Sequence, residues 1–406
     1  MTHPPSASPW QAPRWMLAVL LAALGTLGPF SIDTYLPAFA GIAASIGATP
    51  VQMQQTLSAY LLGFAVMNLF HGALADSFGR RPVVLGGIAV FTLASVGSAL
   101  STHVAALIAC RALQGMAAGS GMVVSRAVVR DLFPPAEAQR VMSQVTIFFG
   151  VAPAVAPIVG GWLFVHLGWH AVFWFLAAVG SVLGLVTWRA LPETLAATQR
   201  QRFDLPNLVR GYTELGLDRR FWLLALASGV PFNGLFLYVL SAPTFVGVHL
   251  GLGPTQFGWF FVTNIAGVMA GAWVSGRLAG RMAPTRQVAL GFAITAVASL
   301  ANVVGNLVWP PALPWAFVPL TAYAFGWSLL VPVVTLMLLD LYPARRGLAS
   351  SLQASVGSTA NALVAGVLVP WVMHDTRALA VASALLMAVG LLAWRGVRHS
   401  LPVPSH

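Results

Sequence analysis

The chain is written as long apolar runs separated by short polar breaks. A hydrocarbon core of about 30 Å takes about 20 apolar residues in helical form. Runs of that size fall near 15–38, 54–75, 82–101, 104–129, 141–165 and 170–190. After a polar stretch at 191–220 come six more, near 221–245, 256–279, 287–309, 314–340, 348–372 and 377–395. The pattern predicts an all-α membrane protein of twelve spans in two bundles, 15–190 and 221–396, with tails at 1–14 and 397–406. An even number of crossings leaves both tails on one side. The first run is too long for a cleaved signal segment and reads as a retained helix.

The two halves look like distant copies. "LFPPAEAQRVMSQV" (132–145) and "LYPARRGLASSLQA" (341–354) each join the fourth and fifth spans of their half, and "GALADSFGRRPVVLG" (72–86) answers "GRLAGRMAPTRQVALG" (276–291). The offset is about 204–209 residues throughout. Parallel six-helix repeats are a transporter architecture, with the substrate site at their interface near the bilayer midplane.

Composition agrees with this picture. Of 406 residues, 58% are hydrophobic and 8% charged, with a mean hydropathy of +0.81. Soluble domains carry about 25% charged residues, so lipid is the main solvent of this chain. The net charge of +11 is spread in short clusters between apolar runs. It forms no continuous basic stripe, which argues against a nucleic-acid partner. Every basic residue is arginine, and its distribution orients the chain. With the N-terminus cytoplasmic, inward segments hold Arg14, Arg80, Arg81, Arg130, Arg140, the linker arginines and those at 277–286, 345–346 and 395–398, while only Arg377 faces outward. The positive-inside rule then predicts both termini in the cytoplasm. The lone Cys110 excludes an internal disulfide framework.

One acid interrupts the first run. Asp33 lies in "SIDTYLP", ahead of Pro37, and apolar residues continue through 38–47. Burying a carboxylate at the bilayer centre costs roughly 2.5–3.5 kcal/mol even on lenient scales, so the position asks for a function. Arg111, in the fourth run, is expected at a similar depth in the same half. Desolvation favours the protonated acid and a nearby guanidinium favours the carboxylate. A pair of changing separation therefore takes up and releases a proton, with Asp33 as the carrier.

These stretches resemble the major facilitator superfamily, and within it the Bcr/CflA-type drug:proton antiporters. The signature between the second and third spans matches Gly72, Asp76, Gly79, Arg80 and Arg81, with Ser77 where a basic residue is usual. The fourth-span signature matches "RALQG", Arg111 to Gly115, including Gln114. The fifth-span antiporter signature is approximated by "GVAPAVAPIVGG", with Gly150, Pro153, Pro157, Gly160 and Gly161, and with Ala156 where a glycine usually precedes proline. "SIDTYLP" is similar to the first span of these pumps. In the second half, Gly280 stands where the repeat would place its acid.

The resemblance implies two six-helix bundles working by alternating access in a bacterial inner membrane. Asp33 and Arg111 would couple protons, and the 72–81 loop would latch a gate. In that loop Gly72 is expected to permit close helix approach, and Arg80 and Arg81 to hold the chain at the cytoplasmic surface. The fifth-span prolines and glycines would lend pliability at the seam between halves. Tyr35, Tyr60, Asn68, Gln114, Asn233, Phe236, Tyr238, Asn264, Tyr323 and Trp327 are candidates for an aromatic, amide-lined cavity. His166 and His170 sit at helical spacing, but Gly168 and a turn lie between them, so no metal site is read there.

The function expected is export of small, largely apolar neutral or zwitterionic drugs, bicyclomycin- or chloramphenicol-like, by a monomer using the proton gradient and no cofactor. An alternative is proton-coupled transport of a native metabolite with incidental drug export. A membrane-embedded receptor or enzyme is a remote third reading. The sequence carries no His-Glu-x-x-His, no Gly-x-Ser-x-Gly and no nucleotide-binding loop.

Overall fold

The computed structural model describes residues 14–133, 135–398 and 400, and the side chains of all of these except 14, 130, 135–140, 142–151 and 344. The expected tails at 1–14 and 397–406 lie almost wholly outside the described residues. Among the described residues the chain is helical and has no strand. The first half comprises α1 (Arg14–Asp33), α2 (Pro50–Asn68), α3 (Arg80–Ala99), α4 (Val104–Leu132), α5 (Pro135–Leu167) and α6 (Trp169–Ala190). The second comprises α7 (Arg219–Leu240), α8 (Phe257–Leu278), α9 (Pro284–Val308), α10 (Val318–Leu341), α11 (Arg346–Leu363) and α12 (Thr376–Val397). Ten of the spans are long and apolar enough to cross a bilayer as they stand. The eleventh is α2 with its continuation His71–Phe78, bent by 48° between the two pieces. The twelfth is α5, whose apolar part is Ala152–Leu167.

Several spans depart from single straight rods for identifiable reasons. The first run continues past α1 through a 3₁₀ turn, Leu36–Ala38, into the helix Phe39–Ile46. Pro37 lacks the N–H that would bond the carbonyl of Asp33, so the helix breaks directly after the acid. In α11 a π-turn, Val364–Leu368, interrupts the regular ladder before Val369–Val372. By contrast, α5 runs unbroken through Pro153 and Pro157. Neighbouring packing holds that helix together despite two missing donors.

The repeat is visible in the packing. The fourth helix of each half is the hub, α4 against α1, α2 and α3, and α10 against α7, α8 and α9. The last helix packs on the third in both, α6 on α3 and α12 on α9. The halves meet along α2–α11 and α5–α8. We call the end carrying Arg14 and Val397 the terminal face, and the opposite end the far face. Among the described residues, hydrogen bonds between spans of different halves cluster toward the far face. Gln54 donates to the Leu240 carbonyl at 3.1 Å, Gln55 to that of Gly366 at 3.0 Å, and Ser58 to that of Ala362 at 2.8 Å. The 3₁₀ turn after Asp33 also touches Ala242–Thr244 of the other half. This conformation is closed at the far face.

The polar break holds an amphipathic helix, Leu205–Gly216, that turns Leu208, Gly211, Tyr212 and Leu215 inward and Arg210 outward. Asp204 caps it by accepting from the Asn207 N–H at 3.0 Å.

Candidate functional site

Asp33 ends α1 inside the first bundle with only 6% of its surface exposed. Among the described residues its carboxylate has neither a hydrogen-bond nor an ion-pair partner. The expected pairing with Arg111 is not formed here, and the reason lies in what surrounds the guanidinium. Arg111 is fully buried, its charge lying over the rings of Tyr35 at 4.7 Å and Tyr60 at 4.4 Å. Its Nη1 donates to Gln114 Oε1 and reaches the Ser31 carbonyl at 3.5 Å. The guanidinium thus meets α1 two residues short of the acid, between two aromatic walls. Among the described residues its Nε and Nη2 have no hydrogen-bond acceptor. A buried cation with two idle donors and a buried acid with no donor share one bundle. Breaking up such a pair costs several kcal/mol unless something else compensates. The cation–π contacts supply part of that, on the order of 2 kcal/mol each when desolvated.

The scaffold around them is locked. Tyr35 bonds Thr56 at 2.8 Å, while Tyr60 donates to the Gly28 carbonyl at 2.9 Å and accepts from Ser31 at 2.9 Å. Gln114 donates onward to Ser95 at 2.7 Å. Gly115 allows α4 to lie against α2, because a Cβ there would stand 1.9 Å from the Tyr60 carbonyl oxygen.

The two glycines closing the fifth-span motif have separate jobs. A Cβ on Gly160 would fall 2.0 Å from the carbonyl oxygen of Thr34, the residue after the acid. One on Gly161 would fall 2.3 Å from the carbonyl oxygen of Pro254, in the other half. α5 is thereby wedged between the break beside Asp33 and the seam. The surroundings of Gly150 lie outside the described residues.

In the 72–81 loop, Arg80 is drawn inward rather than anchored at the surface. It pairs with Asp76 at 2.5 Å and Asp131 at 3.2 Å. Thr194 also donates to Asp131, at 2.8 Å. Arg81 donates to the Trp188 carbonyl. Glu193, just past α6, accepts from the backbone N–H groups of Arg80 at 3.0 Å and Arg81 at 3.3 Å. It thus caps α3, where a carboxylate also meets the positive helix end. Gly79 is required twice over: its φ is +104°, and a Cβ would sit 2.4 Å from Glu193 Oε2. Gly72 does not mediate a close approach, since a Cβ there would meet only Val123 at 3.9 Å. The network ties α3, α4 and α6 together within one half. Sequence reasoning missed Asp131 and Glu193. The signal was scarcity, because a chain with ten acids that places two of them at span ends beside an arginine pair is marking a network.

The cavity candidates divide. Tyr35, Tyr60, Gln114, Asn233, Tyr238, Asn264 and Tyr323 are buried within their own half. Tyr238 accepts from Asn302 at 2.8 Å, and Tyr323 donates to the Pro231 carbonyl at 2.6 Å. Asn68 is buried, with both side-chain polar atoms unpartnered among the described residues, close to Gly119 and His71. Phe236 and Trp327 keep partial exposure, and Phe232 stands within 5.2 Å of the first and 4.8 Å of the second, ring to ring. Trp327 donates to the Ser228 carbonyl at 3.2 Å, and Gln353 to the Ser228 hydroxyl at 2.9 Å. His166 packs at a tilt against Trp162, and His170 stacks on Trp169.

Two like bundles, a charged core in one and a broken span beside it define a multi-pass membrane transporter. The sequence profile of the Major Facilitator Superfamily matches residues 19–365, and the chain belongs to that family. It is 30% identical, over 91% of its length and 92% of the relative's, to a bicyclomycin resistance protein homolog of Haemophilus influenzae. Multidrug resistance protein D of Escherichia coli is 28% identical over 86% of this chain and 87% of its own. The fold is similar to the crystal structure of a bacterial homolog of the human lysosomal transporter Spinster. The TM-score is 0.72 at 16% identity, covering 98% of this chain and all of that one.

Proposed function

We propose that the protein exports small, largely apolar neutral or zwitterionic drugs, bicyclomycin- or chloramphenicol-like, in exchange for protons, with both termini in the cytoplasm. The observation carrying this reading is the buried, unpartnered carboxylate of Asp33 beside a break in its span. The names of the two relatives support a resistance role. Protonated, Asp33 is at ease in an apolar pocket. Ionised, it needs a partner, and Arg111 in the same bundle has two donors to spare among the described residues. Rocking of the bundles would alternate these conditions and turn a proton gradient into a change of facing. The partly exposed Phe232–Phe236–Trp327 surface supplies an apolar platform, and Gln353 a neutral polar handle. One charge crossing 100 mV yields about 2.3 kcal/mol. At about 1.4 kcal/mol per decade, one proton exchanged for one neutral molecule sustains roughly a fortyfold gradient.

The test is transport in vesicles of defined polarity. Drug movement opposite to an imposed proton gradient, lost in Asp33→Asn, is the expected result. Solute accumulating in the same direction as the protons would mean uptake of a metabolite and would refute antiport.

A further inference from the structure

The linker helix Leu205–Gly216 is fixed to the second bundle at three points. Glu214 pairs with Arg345, and the Gly216 carbonyl accepts from Trp222 Nε1 of α7 at 2.7 Å. Gly211 lies so close to α11 that a Cβ would stand 2.7 Å from Leu348 Cδ1. From this platform one side chain crosses to the first bundle: the Tyr212 hydroxyl donates to the Leu69 carbonyl at 2.8 Å. That carbonyl is free because α2 bends there. The ladder resumes with Leu74 N–H bonding the Phe70 carbonyl, and no backbone donor takes that of Leu69. Ser351, on α11, lies beside the same tyrosine side chain. Tyr212 therefore stands where linker, α2 and α11 meet. Burial pushes its hydroxyl up to about 12, so it remains a neutral donor at any working pH.

The other bonds between the halves lie toward the far face. The α2 rod of 19 residues is about 28 Å long, and a tilt of about 10° moves one end by about 5 Å relative to the other. A hydrogen bond does not survive such a displacement. The far-face bonds and the Tyr212 bond thus belong together to one conformation.

We propose that Tyr212 is a positioning residue of the transport cycle: it ties the bend of α2 to the second bundle in the far-closed state, and the tie is released when the bundles rock. The proposal rests on the alternating-access reading given above. A single net hydrogen bond shifts such an equilibrium by roughly two- to tenfold.

Spin-label pairs across each face read the equilibrium directly in a Cys110→Ala background. Val51 with Val248 reports the far face, and Phe78 with Leu336 the terminal face, all four being exposed. Tyr212→Phe, which keeps the ring, is expected to reduce the far-closed population several-fold with little change in melting temperature, and Ser351→Ala to act in the same direction more weakly. A lowered melting temperature with wild-type populations would make Tyr212 a packing residue and overturn the proposal. Wild-type pairs that shift with drug or pH while Tyr212→Phe tracks them unchanged would also overturn it, leaving the transport reading intact. Wild-type pairs that never show a second population would remove both.

Discussion

In the first bundle Asp33, His71 and Arg111 are buried among the spans, and Arg80 joins them at the terminal face. In the second, the buried polar positions among the described residues are serines, threonines, asparagines and a glutamine. The packing plan is the same, yet the chemistry differs. Most neutral groups of the second bundle are satisfied at home. Asn302 bonds Tyr238, Gln287 bonds Ser275 at 2.7 Å and the Leu329 carbonyl at 3.1 Å, and Ser328 bonds the Val268 carbonyl at 2.8 Å. The charges deepest in the first bundle are not satisfied among the described residues, since Arg111 has two idle donors and Asp33 has no partner. Neutral pairs glue helices together at about 0.6 kcal/mol each in membranes. A charge left wanting a partner is a costly arrangement that only a changing state justifies. On the proposed function, the unpaired charges assign proton coupling to the first bundle and leave the partly exposed aromatic face of the second to substrate.

Substitutions test that division. Asp33→Asn is expected to abolish proton-driven drug accumulation, from as much as about fortyfold to none, while the purified protein still melts cooperatively. Flux in vesicles and a thermal melt check both parts. Arg111→Gln removes the charge from between Tyr35 and Tyr60 and is expected to cut flux at least about tenfold, with Arg111→Lys retaining part, since lysine keeps the charge but not the planar fork. Gly161→Ala drives a methyl into the Pro254 carbonyl and is expected to destabilise the far-closed form by about 1–3 kcal/mol, seen as a lost far-face distance population. Glu193→Gln weakens the α3 cap and costs about 1 kcal/mol, visible as a lower melting temperature with coupling retained. Smallest, Asn302→Ala in the second bundle costs under about 1.5 kcal/mol and leaves the pH profile of transport unchanged. A pH profile altered by Asn302→Ala as strongly as by Asp33→Asn would erase the contrast between the bundles.

The spans, the six-plus-six division and the break at Pro37 were legible in the sequence because each rests on local physics: run length, repeat offset and a missing N–H. Gly79 was legible as part of a motif, and its φ supplies the reason. The partner of Arg111 was not legible. Equal depth in two helices says nothing about which face each side chain takes, and the two tyrosine rings reach the guanidinium first. The burial of Tyr238 and Tyr323 was hidden for the same reason, since an aromatic that lines a cavity and one that bonds a carbonyl behind it look alike in one dimension. Glu193 and Tyr212 act across more than a hundred residues of chain, where no spacing rule applies.

Gly160 and Gly161 are consecutive, and consecutive positions on a helix point about 100° apart. One therefore bears on the chain beside Asp33 and the other on the opposite bundle, without a side chain between. A movement of the opposite bundle against that helix is delivered, within a single peptide unit, to the backbone holding the acid. The fifth span is built like a short crank, and Asp33 lies at its throw.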